Sequence, residues 1–572
     1  MEYSAIFHDM DKRFCYAIDK DLFVIRVQVK KDDMKEVILH YEDKYIPMER
    51  KDTRMTLPMK KVATSQFHDY YEAQLRMNLI CLRYFFEFTD MQGEKVYYGN
   101  YEFDKECITN RDRMFDCPQN LREEEMFEVP QWAANKVVYQ IFPSRFAATQ
   151  PVDKKLWYKA PITPMDDLHG NLRGIIEHLD YIKDLGIDVV YLTPIFKSNS
   201  CHKYDTIDYY QVDPSFGTTE DLKELVKKSH ERGMKVVLDA VYNHTGREFF
   251  AFQDILEKGE KSKYLDWYFI DELPPRGEWG EIPNFKCFGY YGGMPKLNLK
   301  NPEVEKYITD VACYWIKECD IDGWRLDVGD EISHFFWKNF RKAIKAVKKD
   351  MLIIGEIWHY AGDFLEGDEW DTVMNYPFYL NLIDLLADEK INVSQFVQNL
   401  GYLKGRLNKK CYPLMWNLID SHDTARFLHL CHDNKKKQHL AAAFQLLLPG
   451  MPMVYYGDEY AMPGANDPDC RRGMYWDEEY QDKEMYNWYK KLMQIRKAHA
   501  CIVEGEMIKT ITNDDDDTIV MIRKNGEETI AMLFNCGSSV KEFNEYAEKY
   551  NLLTDSAFDG KVEGLDAAVI VL

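Results

Sequence analysis

Eight short apolar segments, separated by stretches with helical spacing, constrain the fold of this chain more than any other feature. They lie at 137–142, 189–193, 235–244, 323–327, 352–358, 372–376, 414–420 and 453–459. Between them, residues 172–186 place apolar side chains at helical spacing and end in a glycine, and Asn301–Pro302 begins a second predicted helix. Eight β-units in one stretch predict a (β/α)₈ barrel, and a doubly wound open sheet is the competing arrangement.

The regions on either side of the predicted barrel show the alternation of apolar and polar residues that is typical of β-strands. Residues 1–122 carry alternating apolar and polar segments rich in Tyr and Phe, which indicate an antiparallel β-sandwich. Beyond residue 500, Asn525–Gly526 joins two alternating segments, which is typical of a hairpin. We therefore divide the chain into an N-terminal β-sandwich (1–122), a central (β/α)₈ barrel (123–500) and a C-terminal β-sandwich (501–572).

One connection inside the barrel is too long for a simple loop. More than fifty residues rich in Gly, Pro and aromatic side chains separate the third strand from the helix that begins near Asn301. Connections of this length usually form a functional loop or a small subdomain. We expect residues 245–300 to form an inserted subdomain.

Net charge and cysteine usage exclude several kinds of partner. The 572 residues carry 73 Lys and Arg against 96 Asp and Glu, a net charge of −23, which repels nucleic acid and anionic membranes. The N-terminus lacks a basic region followed by an apolar core, and no apolar run is long enough to cross a bilayer. The 13 cysteines are scattered without a C-x-x-C pair. We expect a cytoplasmic protein that binds neither nucleic acid nor membranes.

Polar side chains collect where the predicted barrel strands end, which is the face that carries the active site in this fold. Arg325 and Asp327 lie two apart on one strand and therefore share a face. The other strand ends and one loop supply Asp239, Asn243, His244, Glu356, Trp358, His359, Asp420, His422, Asp423 and the segment 201–210. Any one of these residues alone could belong to a structural ion pair at the rim of the barrel. Burying several charges together is costly, however, so such a group indicates a function.

Glycoside hydrolysis is a reaction that uses several carboxyl groups in one site. It needs one carboxylic acid to protonate the leaving oxygen and one carboxylate to attack the sugar or to activate water. A third carboxylate can stabilise the oxocarbenium-like centre electrostatically. The chain shows neither a P-loop nor a G-x-G-x-x-G after a strand, so phosphate or dinucleotide chemistry lacks a binding loop.

Four ordered segments resemble the signature regions of the α-amylase family, glycoside hydrolase family 13. They are "DAVYNH" (239–244), "GWRLDVGDE" (323–331), "GEIWH" (355–359) and "LIDSHD" (418–423). Inside the long third connection, "MPKLN" (294–298) is similar to the fifth region of the neopullulanase, cyclomaltodextrinase and maltogenic amylase branch. The resemblance spans essentially the whole chain.

The resemblance implies a role for each matching residue. Asp327 matches the nucleophile, Glu356 the general acid/base, Asp423 the third carboxylate, and Arg325 the arginine that keeps the nucleophile ionised. The implied sugar-binding residues are His202, Tyr204, His244, His422, Asp467 and Arg471, with Phe288, Glu331 and Trp358 on the acceptor side.

Two departures from the branch pattern matter. Residues 328–331 read Val-Gly-Asp-Glu where the branch usually reads Val-Ala-Asn-Glu, which could alter acceptor preference. Residues 147–150 read Ala-Ala-Thr-Gln where many relatives have an Asn-Gly-Asp calcium loop. Calcium favours six to eight oxygen ligands, so we expect no metal or cofactor at this loop.

We therefore predict a retaining hydrolase of α-1,4-glucosidic bonds in cyclodextrins, maltodextrins and pullulan, with transglycosylation as a further activity. An exo-acting α-glucosidase or a glucan transferase is the alternative within the family, and a catalytically inactive glucan-binding scaffold is the alternative outside it. The resemblance also implies a homodimer formed through the N-terminal domain. We expect aromatic side chains partly to fill that domain's core and partly to form its interface, namely Tyr70, Tyr71, Tyr84, Phe85 and Phe86.

Overall fold

The computed structural model describes residues 1–47, 54–77, 79–118, 126–277 and 280–572. The boundary expected between residues 122 and 123 lies outside the described residues. The chain forms two compact units. The first contains residues 1–129, 361–368 and 394–412, and the second contains residues 130–360, 369–393 and 413–572.

The first unit is built on two antiparallel sheets. In spatial order, one sheet contains Cys15–Asp19, Leu22–Lys30, His68–Arg76 and Lys60–Thr64. The other contains Met55–Pro58, Met34–Asp43, Cys81–Asp90, Lys95–Tyr98 and Phe103–Asp104, with Phe115–Pro118 also paired to Cys81–Asp90. Apolar side chains from both sheets, such as Ile25 and Phe86, form one core. The predicted β-sandwich is confirmed.

The five aromatic side chains expected to supply an interface are all buried inside this unit. Tyr70, Tyr84 and Phe86 are 0 % exposed, Phe85 is 1 % and Tyr71 is 7 % exposed. They occupy consecutive positions on two strands that are buried on both faces there, so core packing accounts for all of them. The expectation that part of this group forms an exposed apolar surface was wrong.

The second unit contains an eight-stranded parallel barrel. Its strands are Val138–Ile141, Val189–Leu192, Lys235–Ala240, Gly323–Leu326, Leu352–Gly355, Thr372–Val373, Trp416–Leu418 and Met451–Tyr455. Except for the sixth and seventh, each strand pairs with its neighbour in chain order, and Met451–Tyr455 pairs back with Val138–Ile141. An isolated parallel bridge between Met374 and Trp416 closes the ring between the sixth and seventh strands. All eight predicted strands are present.

Helices separate the barrel strands. The longer ones are Leu172–Glu177, Leu179–Leu185, Thr219–Glu231, Phe250–Lys258, Pro302–Cys319, His334–Val347, Tyr376–Leu382, Val393–Arg406, Lys435–Leu447 and Lys483–Ala498. The segment predicted as one helix over 172–186 is two helices that meet at His178, and Gly186 ends the second with a φ of 113°. Within the described parts of the chain, none of the helices combines the length and apolar character needed to cross a lipid bilayer.

The long third connection returns to the barrel as a hairpin. After Phe250–Lys258, its backbone forms isolated bridges rather than a continuous sheet. Its last part is hydrogen-bonded to the end of the third strand: Leu297 N donates to Asn243 O at 3.0 Å, and Thr245 N donates to Pro295 O at 3.1 Å. This pairing places the MPKLN segment beside the carboxyl ends of the strands.

The C-terminal part of the second unit is a β-domain. Its main sheet contains, in spatial order, Glu506–Asn513, Thr518–Asn525, Glu528–Asn535, Asp566–Val571, Tyr550–Asn551 and Ser556–Ala557. Lys541–Glu542 and Lys561–Val562 form a second, two-stranded sheet. Gly526 has a φ of 60° at the predicted hairpin turn, a conformation that glycine adopts without strain.

Candidate active site

The guanidinium of Arg325 is the centre of the candidate site. Arg325 is fully buried on the fourth strand, and its Nη1 donates to Asp327 Oδ1 at 2.9 Å and to Asp239 Oδ1 at 3.0 Å. Its Nη2 lies 2.8 Å from Glu356 Oε1 and 4.0 Å from Asp423 Oδ2. The three carboxylates selected from the sequence therefore surround one cation, together with a fourth carboxylate that was assigned no role.

Burial and mutual repulsion raise the pKa values of these carboxyl groups. Burial raises the pKa of Asp327 well above its usual range, while the positive charge of Arg325 opposes the rise. Burial likewise raises the pKa of Glu356, and brings that of Asp239 to about 6. Burial alone would lower the pKa of Arg325, but the surrounding carboxylates, Asp239 foremost, raise it well above its usual value. Arg325 acts on the pKa of Asp327, the predicted nucleophile, in the expected direction, yet burial is the larger influence.

Glu356 is held by a backbone group that sequence reasoning did not identify. Val328 has φ 46° and ψ 46°, a left-handed conformation that is uncommon for a β-branched residue. In this conformation its N–H donates to Glu356 Oε2 at 3.0 Å, and Trp358 Nε1 donates to Glu356 Oε1 at 3.3 Å. Backbone strain of this kind is typical of functional sites. Because Val328 directly follows Asp327, its hydrogen bond fixes the carboxylate of Glu356 relative to that of Asp327.

A hydrogen-bond network holds His422 in a single orientation. Gln140, a polar residue in an otherwise apolar first strand, donates from Nε2 to His422 Nδ1 at 2.8 Å. Burial lowers the pKa of His422 well below its usual value, so the ring is neutral and this contact places its proton on Nε2. That nitrogen lies beside the hydroxyl of Tyr204 and 3.2 Å from Asp423 Oδ2. The Tyr204 hydroxyl also donates to Asp239 Oδ2 at 3.0 Å. The buried Gln in the first strand was the available sequence signal for this network.

The two remaining histidines predicted to bind sugar are also fixed by the protein. His244 Nε2 donates to the carbonyl oxygen of Tyr204 at 3.0 Å, and Phe288 stacks on the His244 ring at 5.1 Å with an interplanar angle of 11°. Burial lowers the pKa of His244 to about 3, so it is a neutral donor. His202 Nδ1 accepts from Tyr204 N at 3.1 Å, and burial lowers its pKa.

Asp467 and Arg471 form a pair that reaches the third carboxylate. Arg471 Nη1 lies 2.8 Å from Asp467 Oδ1, and its Nη2 donates to Asp423 Oδ1 at 3.3 Å. Arg471 Nε also donates to the backbone oxygen of His422 at 2.7 Å. The structure therefore brings this predicted pair to the same site as Asp423.

The acceptor-side residues lie in a polar cluster that includes a lysine of the fifth signature region. Glu331 Oε2 accepts from Asn243 Nδ2 at 3.0 Å, and Lys296 Nζ donates to the Glu331 backbone oxygen at 3.1 Å. Burial lowers the pKa of Lys296 to about 8. The aspartate that departs from the branch pattern, Asp330, has a partner in His359, whose Nε2 lies 3.2 Å from its Oδ2.

Trp358, which we predict to line the acceptor side, offers an exposed aromatic face. Its ring stacks on Tyr376 at 4.0 Å with an interplanar angle of 15°, and its side chain remains 43 % exposed. A tryptophan held on one face and open on the other suits contact with a sugar ring.

Residues 147–150, the segment that the resemblance aligns with a calcium loop, offer few ligands for that ion. The Ala147 carbonyl accepts from Asn171 N at 3.0 Å, and Thr149 Oγ1 accepts from Asn171 Nδ2 at 3.1 Å, so two oxygens are already engaged. Across the ranges that the structure describes, no group of three or more His, Cys, Asp or Glu side chains is placed to hold a metal ion. Residues 147–150 supply no carboxylate, whereas calcium favours six to eight oxygen ligands.

We therefore expect turnover to be independent of calcium. Treatment with EGTA followed by gel filtration should leave kcat on β-cyclodextrin unchanged, and added calcium should not raise it. The measurement is an initial rate before and after treatment, with a sample passed through the same column without EGTA as the control. A large loss that calcium restores would contradict the expectation.

Comparison with known proteins identifies the class and the family. The family described as "Alpha amylase, catalytic domain" matches residues 140–505, and "Alpha amylase, N-terminal ig-like domain" matches residues 1–119. A parallel barrel with three carboxylates around one arginine at its strand ends, in a chain with these matches, is a glycoside hydrolase. The chain belongs to the α-amylase family.

Similar proteins match over nearly the full length of the chain. It is 41 % identical over 574 residues to a cyclomaltodextrinase from Geobacillus thermopakistaniensis (strain MAS1), covering 99 % of this chain and 97 % of the relative. It is 38 % identical over 537 residues to neopullulanase 2 from Thermoactinomyces vulgaris, covering 93 % of this chain and 90 % of the relative. A solved structure of a cyclomaltodextrinase superposes with a TM-score of 0.94 at 37 % identity and covers 100 % of both chains.

Proposed function

We propose that this chain hydrolyses α-1,4-glucosidic bonds in cyclodextrins, short maltodextrins and pullulan with retention of configuration, and that it also transfers glycosyl groups to acceptor sugars. The observation that carries the proposal is the position of Asp327, Glu356 and Asp423 within 4.0 Å of the guanidinium of Arg325 at the ends of the barrel strands. This arrangement supplies the two carboxyl groups of a retaining mechanism and a third that stabilises positive charge.

In the proposed first step, Asp327 attacks the anomeric carbon while Glu356 donates a proton to the departing glycosidic oxygen. Burial supports the acid role of Glu356, because it raises the pKa and keeps a larger fraction protonated at neutral pH. The C1–O bond to the leaving sugar breaks as the bond to Asp327 forms. Asp423 and the neutral His422 face the sugar at the cleavage position and stabilise its partial positive charge and its hydroxyls.

In the second step, Glu356 takes a proton from water, or from the hydroxyl of an acceptor sugar, which attacks the glycosyl ester and releases Asp327. The N–H of Val328 and the indole of Trp358 hold Glu356 in place for both steps. Attack by water gives hydrolysis, and attack by a sugar gives transglycosylation. Two inversions at the same carbon give net retention.

The substrate range rests on the similar proteins and on the third connection. The relatives named cyclomaltodextrinase and neopullulanase cover nearly the whole chain, including the N-terminal domain. The MPKLN segment contacts the end of the third strand through Lys296, which contacts the side chain of Asn243. A homodimer, with the N-terminal domain in its interface, and a cytoplasmic location belong to the proposal as well; all 13 cysteines are free thiols, which suits a reducing compartment.

A product time course on β-cyclodextrin, pullulan and soluble starch tests the proposal. We expect ring opening of β-cyclodextrin followed by short maltodextrins, a trisaccharide from pullulan that still contains a 1,6 bond, and a slower reaction on starch. Glucose released from the first time point on linear substrates would favour an exo-acting glucosidase. Absence of product from all three would favour the inactive scaffold and contradict the proposal.

A further inference from the structure

The last part of the third connection is a hydrogen-bonded hairpin over residues 286–296. Lys296 N donates to Lys286 O at 3.0 Å, Phe288 N donates to Met294 O at 3.0 Å, and Tyr291 N donates to Phe288 O at 3.0 Å. An isolated bridge between His244 and Lys296 joins the base of this hairpin to the end of the third barrel strand. The tip is therefore carried by an element that is fixed to the active-site face.

The tip of the hairpin holds one tyrosine almost entirely in solvent. Tyr290 is 93 % exposed, and its backbone has a φ of 59° directly after Gly289 at 60°. Positive φ is uncommon for a bulky residue and usually marks a turn under constraint. Next to the tip, a Cβ on Gly292 would lie 1.9 Å from the Gly277 carbonyl oxygen, so only glycine permits this close approach. The sequence thus holds a large aromatic ring outward at a conformational cost.

The hairpin also carries the aromatic ring that lines the site. Phe288, two residues before Tyr290, is partly buried and stacks on His244. Lys296, at the base of the same hairpin, contacts Asn243 and the backbone of Glu331. Tyr290 therefore lies two residues along the chain from a ring that is fixed at the candidate site.

We propose that Tyr290 is a stacking platform for a glucose ring of the bound α-glucan, on the acceptor side and beyond the ring contacted by Phe288. The inference rests on the proposed function. One face of a glucopyranose presents axial C–H groups, which pack against an aromatic face, and the phenol hydroxyl can bond to sugar hydroxyls. Because the backbone is already fixed, stacking does not require ordering the loop, which lowers the entropic cost of binding.

The proposal distinguishes long substrates from short ones. Maltoheptaose and β-cyclodextrin are large enough to reach the tip, whereas maltotriose ends close to the cleavage position. Tyr290→Ala should raise KM for the two larger substrates about fivefold to tenfold while kcat stays within about twofold, and should leave both values for maltotriose unchanged. Tyr290→Trp, which keeps a stacking face, should retain most of the affinity.

Tyr550 provides a matched control, since it is a 48 % exposed tyrosine in the C-terminal sheet. Tyr550→Ala should leave the kinetic values on all three substrates unchanged. Equal KM values for wild type and Tyr290→Ala on maltoheptaose would overturn the proposal. So would a lower sedimentation coefficient in Tyr290→Ala together with unchanged KM, because that result would place the ring at a contact with a second copy of the chain.

A binding measurement separates this proposal from the proposed function. Maltoheptaose is titrated calorimetrically into Asp327→Asn and into the double variant Asp327→Asn, Tyr290→Ala. The double variant should bind about fivefold to tenfold more weakly. If the wild type turned over no α-glucan, the proposed function would fail, and equal Kd values in the two variants would overturn the role of Tyr290 independently.

Discussion

Replacing Asp327 with asparagine should lower kcat on β-cyclodextrin by about 10⁴-fold or more, because an amide cannot form the glycosyl ester. The side chain keeps its shape, so the fold should be retained. Stability at neutral pH should be equal or higher. Burial raises the folded-state pKa of Asp327, so its charged form opposes folding at pH values above its unfolded pKa, and an uncharged amide removes that opposition.

The measurement pairs initial rates with urea unfolding at about pH 7. Asp310→Asn, the same change on the exposed surface of the helix Pro302–Cys319, is the control and should match wild type in both. Near-normal turnover of maltodextrins by Asp327→Asn would show that another group is the nucleophile.

Replacing Arg325 with methionine should have the second large effect, on both activity and stability. The change removes the one guanidinium that contacts Asp239, Asp327 and Glu356 together. Removing one partner from a buried charge network costs about 3–5 kcal/mol in the free energy of unfolding. We also expect kcat to fall by about 10³-fold, since the nucleophile then takes up a proton at neutral pH.

The loss of stability in Arg325→Met should depend on pH in a defined direction. Without the cation the folded-state pKa values of the three carboxyls rise further above their unfolded values. The penalty is therefore largest at about pH 7.5 and shrinks as the pH falls towards about 4, where the unfolded carboxyls also bind protons. Urea unfolding at both pH values measures it.

Arg496→Met is the matched control for a buried arginine. Arg496 donates to the backbone oxygens of Leu446, Leu448 and Gly450. Among the residues that the structure describes, no carboxylate forms an ion pair with it. Its loss should destabilise the chain by an amount that differs little between the two pH values. An equal loss of stability in both variants, independent of pH, would contradict the explanation that Arg325 stabilises the fold by compensating the charges of the carboxylates.

The barrel could be predicted from sequence because each strand is a buried apolar run and the helices carry their own start and stop signals. Asn301 caps its helix by accepting from Glu303 N, and Pro302 occupies the first turn, as the pattern indicated. The position of Arg325 and Asp327 on one face followed from strand alternation. Local rules therefore sufficed wherever the relevant neighbours are close in the chain.

The parts that could not be predicted depend on contacts between distant segments or on backbone conformation. Val328 reads as an ordinary apolar residue, and only its left-handed backbone makes it a donor to Glu356. Gln140 and His422 meet across 282 positions of sequence. The aromatic residues of the N-terminal domain, such as Tyr84, were open to two interpretations, since hydrophobicity alone does not separate a core from an interface.

Trapping the glycosyl ester tests the central claim most directly. The Glu356→Gln variant lacks the group that activates water, so incubation with a fluorinated α-glucosyl fluoride, whose fluoride leaves without acid assistance, should accumulate the covalent intermediate. Intact mass spectrometry should show one added glycosyl group, and peptide mapping should place it on Asp327. A label on Asp423 or another residue would contradict the assignment, and an unlabelled enzyme that releases a β-anomeric product would contradict the retaining mechanism.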